Sequence, residues 1–266
     1  MMPAPIFVGG TPRSGTTLTR AILNSHPDIA CGPELRAIPA LARLYRETAS
    51  TMAGTYSRHF GFSEGDLRQT YAALIASFLA PFHARSGKRL IAEKTPANAL
   101  YFLDLHALFP QARFVHVVRD PRDVVASLVG MDWRDARTGA RAPITASIEN
   151  AAIGWRDHVL AARSARESGA PVHEMTYETL VGAPAAAMRA LFEFLGLGVP
   201  ADLQAHDAGF DSRAGENETS AGAVARPIND HAIGRWRRDL TRAQAQTVEE
   251  IAGTLLGCYG YAPAAQ

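Results

Sequence analysis

The chain has 266 residues, 47% of them hydrophobic, which suffices for one sizeable core and excludes a small disulfide-stapled scaffold. Its 27 basic and 26 acidic side chains nearly cancel, so nothing global favours nucleic acid or an anionic membrane, and any anion site must be local. Two cysteines, Cys31 and Cys258, read as thiols in a reducing compartment rather than a disulfide framework.

The first element, PIFVGG at residues 5–10, is predicted as a short buried strand ended by glycines. TTLTRAILNSH follows as a helix over 16–26, with Leu18, Ile22 and Leu23 near one face. A second strand at 28–32 ends just before Glu34, and helices are expected over 36–48 and 66–84. RLIAEK is a strand, residues 97–109 a helix, and ARFVHVV a strong strand. PRDVVASLV then opens a helix with Pro121 in its first turn. A polar stretch from Asp132 to Pro143 reads as a mobile loop, 145–167 as a long helix and PVHEMT as a strand. A helix over 183–196 stops at Gly196, residues 208–230 are loop, and the last helix covers 241–256. Strands alternating with helices predict an α/β fold, a P-loop-type, mainly parallel sheet flanked by helices on both faces, in one domain over residues 1–266. No run of about 18 apolar residues marks a membrane span, and no signal-peptide pattern precedes the first strand, so a cytoplasmic protein is expected.

Between the first strand and helix lies GGTPRSGTT, residues 9–17. Gly10 and Gly15 have the spacing of a phosphate-binding loop, in the strand–loop–helix context that such a loop requires. Gly15 lets backbone N–H groups approach an anion at a helix N-terminus. Arg13 supplies a guanidinium, and Ser14, Thr16 and Thr17 supply hydroxyl or N–H donors. The alternative is a purely structural turn. Thr16 stands where a nucleotide hydrolase carries its lysine. Asp120, flanked by Arg119 and Arg122, reads as a helix-start or ion-pair residue rather than a metal ligand. The residues therefore point to a phosphate-like anion held with no metal. In FVHVVRDPRDVVASL, Arg119 ends a buried strand and Ser127 lies two turns into the next helix, where they can meet a second phosphate. A salt bridge and a packed serine are the alternative there.

The two segments together resemble the sulfotransferases that use 3′-phosphoadenosine 5′-phosphosulfate (PAPS) and release adenosine 3′,5′-bisphosphate (PAP). HPDIACGPELRAIPAL narrows the resemblance to the tyrosylprotein branch. The resemblance implies that TPRSGTT holds the 5′-phosphosulfate and that Arg119 and Ser127 hold the 3′-phosphate. It makes Glu34 the catalytic base, Arg36 an acceptor contact, Lys94 of EKTP a catalytic lysine and Tyr177 of MTYETLV a donor contact. TSAGAVARPINDHAIGRW implies a catalytic Ser220 and a donor-binding Arg226. Matches run in order from residue 7 to about 236. Three positions depart from the family pattern: Pro33 replaces a second acid, Glu93-Lys94-Thr95-Pro96 replaces Asn-Lys-Asp-Pro, and Arg226 replaces a lysine. The acceptor implied is a protein or peptide tyrosine, with a carbohydrate or small phenol as the alternative. No nucleic acid, membrane or metal is implied, and a homodimer is expected by analogy.

By position alone, Glu34 reads as an acid at a helix start, Lys94 as a solvated strand-end lysine and Tyr177 as a packing residue. His26 and His116 read as structural, and Trp155 and Trp236 as packing anchors. Arg134, Arg137 and Arg141 in the 132–143 loop cover an acidic acceptor or are simply solvated. Two other function classes stay open: a nucleotide kinase or hydrolase with an unusual loop, and a binding protein that senses PAP.

Overall fold

The computed structural model describes residues 3–135, 138–200, 221–224 and 227–263. Five strands, Ile6–Gly10 (β1), Ile29–Cys31 (β2), Leu90–Lys94 (β3), Arg113–Val118 (β4) and Val172–Thr176 (β5), form one parallel sheet in the order β2-β3-β1-β4-β5. The strands are apolar along most of their length because helices cover both faces. Alternate residues feed different cores. Ile6, Val8, Val115 and Val117 pack with Thr16–Ser25 (α1) and with a later helix on one face. Phe7, Ile91 and Phe114 pack on the other, with Ala37–Glu47 (α2), Glu64–Ser86 (α3) and Phe102–Leu108 (α4). A third core joins Pro121–Val129 (α5) to Ile148–Glu167 (α6) around the fully buried Trp155.

The predicted α/β fold is therefore present, and its topology fixes where a ligand goes. From β1 the chain runs to β2 at the edge and back to β3 on one side, then to β4 and β5 on the other. All five strands point the same way, so the crevice beside β1 opens at their carboxyl ends.

Several predicted boundaries moved for local reasons. The helix expected over 97–109 begins as a 3-10 turn, Pro96–Tyr101, before α4. That turn packs hard on β1, where a Cβ on Gly9 would come 2.4 Å from the Ala99 nitrogen. The helix expected over 145–167 breaks at Ser147, which is extended and whose hydroxyl caps α6 by accepting from Asn150 N–H. The helix expected over 183–196 is present as Pro184–Phe194 (α8), the second helix of the first core, opened by Pro184; a short helix, Tyr177–Gly182 (α7), precedes it where none was predicted. The last, Arg242–Ala252 (α9), stops at Gly253, followed by a short turn at Leu255–Cys258. Wide π turns at Thr48–Met52 and Tyr56–Phe60 extend α2 beyond the predicted end.

Two described arginines of the 132–143 stretch are held in place. Arg134 and Arg141 form an antiparallel bridge, and the Arg141 guanidinium donates to the Val129 and Met131 carbonyls. Cys31 is buried and Cys258 exposed, both as thiols. Among the described residues no helix is long and apolar enough to cross a membrane.

Candidate active site

The loop after β1 takes its shape from two positions where a side chain cannot fit. Gly10 has a φ of 155°, and a Cβ there would lie 2.3 Å from the Val117 carbonyl oxygen of β4. Gly15 caps α1 at a φ of 99°, and a Cβ there would lie 2.6 Å from the Tyr177 ring. Glycine thus lets the N-terminus of α1 sit against the ends of β4 and β5.

Between them Arg13 is held in the left-handed region, with a φ of 75°, which a residue with a side chain adopts at some strain. Two bonds hold it there. Arg119 Nη1 donates to the Arg13 carbonyl at 3.1 Å, and Arg13 Nε donates to Ser127 Oγ at 2.9 Å. Burial, then the nearby charges of Arg119 and Arg235, push the Arg13 guanidinium below its ordinary pKa. An anion placed among these cations would relieve that repulsion. Ser14 Oγ and Thr11 Oγ1 are buried with no hydrogen-bond partner among the described residues, so the loop has donor capacity to spare.

Arg119 is almost fully buried at the end of β4. Its carbonyl accepts from Trp155 Nε1 at 2.9 Å, and its guanidinium stacks 4.6 Å above the Tyr177 ring and donates to the Ala232 carbonyl. Asp123, one turn into α5, sits 3.7 Å from Arg119 and accepts from the backbone N–H groups of Gly234 and Trp236 at 2.8 and 3.0 Å. These contacts fold residues 227–236 over a cleft of about 390 Å³ lined by Arg13, Arg119, Ser127, Tyr177, His231 and Arg235. Trp236 is a packing residue here, sandwiched between Arg122 and Arg237. Asp120 caps α5 and chelates Arg122, as a helix-start ion-pair residue does. His26 and His116 are buried in structural contacts, to Gly198 and to Glu174. Among the described residues no group of three or more His, Cys, Asp or Glu is placed to hold a metal.

On the other side of the loop, Glu34 leaves the end of β2 and meets Lys94 at the end of β3. The Lys94 ammonium donates to Glu34 Oε1 at 2.8 Å. The Lys94 side chain is fully buried and Glu34 is 17% exposed, so the lysine is not the solvated strand-end residue that its position suggested. Arg36, 70% exposed, lies 3.6 Å from the other Glu34 oxygen. A second cleft of about 790 Å³ opens here, lined by Glu34, Arg36, Arg43, Tyr101, Trp133 and Arg134 among others. Arg13, Thr16 and Thr17 line both clefts, so the loop is their common wall.

The structure thus brings together Arg13, Gly15, Thr16, Thr17, Arg119, Ser127 and Tyr177 around one cleft, with Ser14 buried in the same loop, and Glu34 and Arg36 around the other, with Lys94 buried behind Glu34. Ser220 and Arg226 lie outside the described residues, as does Arg137. Arg134 reaches the second cleft, while Arg141 turns back onto the end of α5. Sequence reasoning missed Arg235 and His231, because GRWRRD offers several arginines and no spacing that selects one. It also missed Arg43, although its place seven residues after Arg36 puts both near one face of α2.

The Sulfotransferase family profile matches residues 5–201. Protein-tyrosine sulfotransferase 2 of Gallus gallus is 30% identical over 97% of this chain and 69% of its own length. Among solved structures, the sulfotransferase domain of the Synechococcus olefin synthase superposes with a TM-score of 0.63 at 20% identity, covering 95% of this chain and 96% of that domain. A mouse sulfotransferase complexed with PAP gives 0.56 at 16% identity, over 97% and 89%. At these identities the two structures speak for the fold alone.

Proposed function

The chain belongs to the sulfotransferase family, and from that premise we propose that it moves a sulfuryl group from PAPS to the phenol of a protein or peptide tyrosine, with Glu34 as base. The observation that carries the reading is the shared wall: Arg13, Thr16 and Thr17 face a cationic cleft on one side and the Glu34 cleft on the other. The donor fits the first cleft by its chemistry. It has two anionic ends, and the cleft offers the α1 N-terminus together with Arg13, Arg119 and Ser127. The unpartnered Ser14 and Thr11 hydroxyls fit a close approach of phosphate oxygens.

Sulfuryl transfer, like phosphoryl transfer, asks the protein mainly to position reactants and stabilise charge. A phenol with a pKa near ~10 is neutral at about pH 7. Glu34 would take its proton as the new S–O bond forms in line with the breaking bond to phosphate. Lys94 would turn from Glu34 toward the oxygen that gains charge, freeing the carboxylate as it does so. Arg13 would hold the phosphosulfate oxygens, and Ser220 and Arg226 are proposed to assist by the resemblance alone. Arg36 would meet an acidic acceptor. Metal-free transfer, a homodimer, a cytoplasmic location and a single domain over residues 1–266 belong to the same proposal.

The test is incubation with PAPS and an acidic tyrosine peptide, with mass spectrometry for one added SO₃. Sulfation of the tyrosine is expected, with loss of transfer but retention of PAP binding in Glu34→Gln. Transfer to a sugar or small phenol instead would overturn the acceptor while keeping the enzyme class. Magnesium-dependent ATP turnover without transfer would favour a nucleotide hydrolase.

A further inference from the structure

Glu93 is a carboxyl buried to 3% exposure at the carboxyl end of β3, one residue before Lys94. Two residues earlier, Ile91 faces the core under α2, whereas Ala92 faces the opposite one. The alternation puts Glu93 on the α2 side. A carboxyl in such a layer is unfavourable unless its oxygens find donors. They do. Oε1 accepts from Leu35 N–H at 3.1 Å and from Thr95 Oγ1 at 2.6 Å, and Oε2 accepts from Asn98 Nδ2 at 2.5 Å. Asn98 Nδ2 also donates to the Val8 carbonyl at 3.2 Å, which fixes the amide so that it offers Glu93 a donor. Three donors converge, so the surroundings are built for the ionised carboxylate.

The Leu35 bond gives this arrangement its meaning. Leu35 directly follows Glu34, and Glu93 directly precedes Lys94. One carboxylate therefore ties the backbone beside the base to the strand that carries the lysine, and those two side chains meet at 2.8 Å. We infer that Glu93 is a positioning residue for transfer: its ionised side chain clamps the Glu34 segment to the end of β3 and so assembles the Glu34–Lys94 pair. The inference rests on the reading of Glu34 as base and Lys94 as the cation that meets the leaving group.

A pH dependence follows. Burial pushes the Glu93 carboxyl up to about 7, against the opposing pull of its donors and of Lys94. The charged groups at this corner are Lys94, whose ammonium favours the ionised form, and Glu34, which draws that ammonium toward the loop. Leu35, Thr95 and Asn98 bring only uncharged donors. Above about 7 the carboxylate accepts from all three. Below it, a proton on one oxygen opposes a donor, and the clamp on Leu35 loosens. The donor cleft at Arg13 and Arg119 is not part of this clamp.

The experiment compares the intact chain with Glu93→Gln and Glu34→Gln. It measures kcat and both KM values with PAPS and a tyrosine peptide from about pH 6 to about pH 9, bracketing the clamp's titration. PAP binding by calorimetry checks that each variant is folded. Wild-type kcat is expected to rise through about pH 7 while PAP affinity stays level. Glu93→Gln is expected to lose about tenfold to a hundredfold in kcat, the scale of a misplaced catalytic group. It should keep PAP affinity and donor KM, and lose the rise through about pH 7. A Glu93→Gln enzyme with wild-type kcat and pH profile would overturn the inference. So would a wild-type kcat that is level across the range, a result that needs no variant to fold. If Glu34→Gln is inactive and Glu93→Gln normal, only the clamp fails. If Glu34→Gln turns over normally, the base assignment fails first.

Discussion

The cleft lined by Arg119, Ser127 and Tyr177 is bounded by the ends of hydrogen-bonded strands, whereas the cleft lined by Glu34, Tyr101 and Trp133 is bounded by a helix, a 3-10 turn and a bridged loop. In the first, main-chain groups anchor several of the polar side chains. Arg119 grips the Arg13 carbonyl, Trp155 grips Arg119, and Asp123 grips Gly234 and Trp236. In the second, Arg36 and Arg134 are 70% and 57% exposed and belong to elements that the sheet does not register. The rigid cleft suits a ligand that never changes, such as a nucleotide donor. The looser, larger one suits an acceptor whose identity differs between enzymes.

The comparison breaks most severely at the wall between the clefts. Arg13→Ala removes the one guanidinium among the described residues that faces both, and transfer is expected to fall about a hundredfold to a thousandfold, the range for losing one preorganised donor. Single-turnover rates at saturating donor and acceptor check this. A loss confined to donor KM would mean that Arg13 serves only binding. Ser127→Ala is a smaller test. It removes the hydroxyl that accepts from Arg13 Nε, so donor KM is expected to rise several-fold, about the worth of one hydrogen bond, with acceptor KM unmoved. The smallest effect is expected at the exposed rim. Arg36→Gln with Arg134→Gln should raise KM for an acidic peptide a few-fold and leave donor KM alone. The difference should shrink in salt, since exposed charges are worth little and are screened. A donor KM that moved with it would erase the distinction between the clefts.

The same contrast governs what could be read from the residues in order. β1 and β4 are nearly unbroken apolar runs ended by glycine or arginine, and the donor-side residues are contiguous with them, so fold and loop were legible together. Tyr177 was found only through the family resemblance; its ring fills the space that Gly15 leaves. The break at Ser147 carried a capping signal, which the longer helical periodicity concealed. Glu93 stood out only as a departure from a family pattern. Its role depends on Leu35 and Asn98, which no spacing rule connects to it. The acceptor side draws on α2, the 96–101 turn and the 132–143 loop, three segments that meet only once the chain is folded.

The central claim is that the two clefts do different work, one holding the donor and the other taking the acceptor's proton. Glu34→Gln tests it most directly, with PAP affinity and single-turnover transfer to a tyrosine peptide measured on the same preparation. Wild-type PAP affinity with transfer reduced about a hundredfold or more is the expected result. Transfer at the wild-type rate, or PAP binding lost together with transfer, would contradict it.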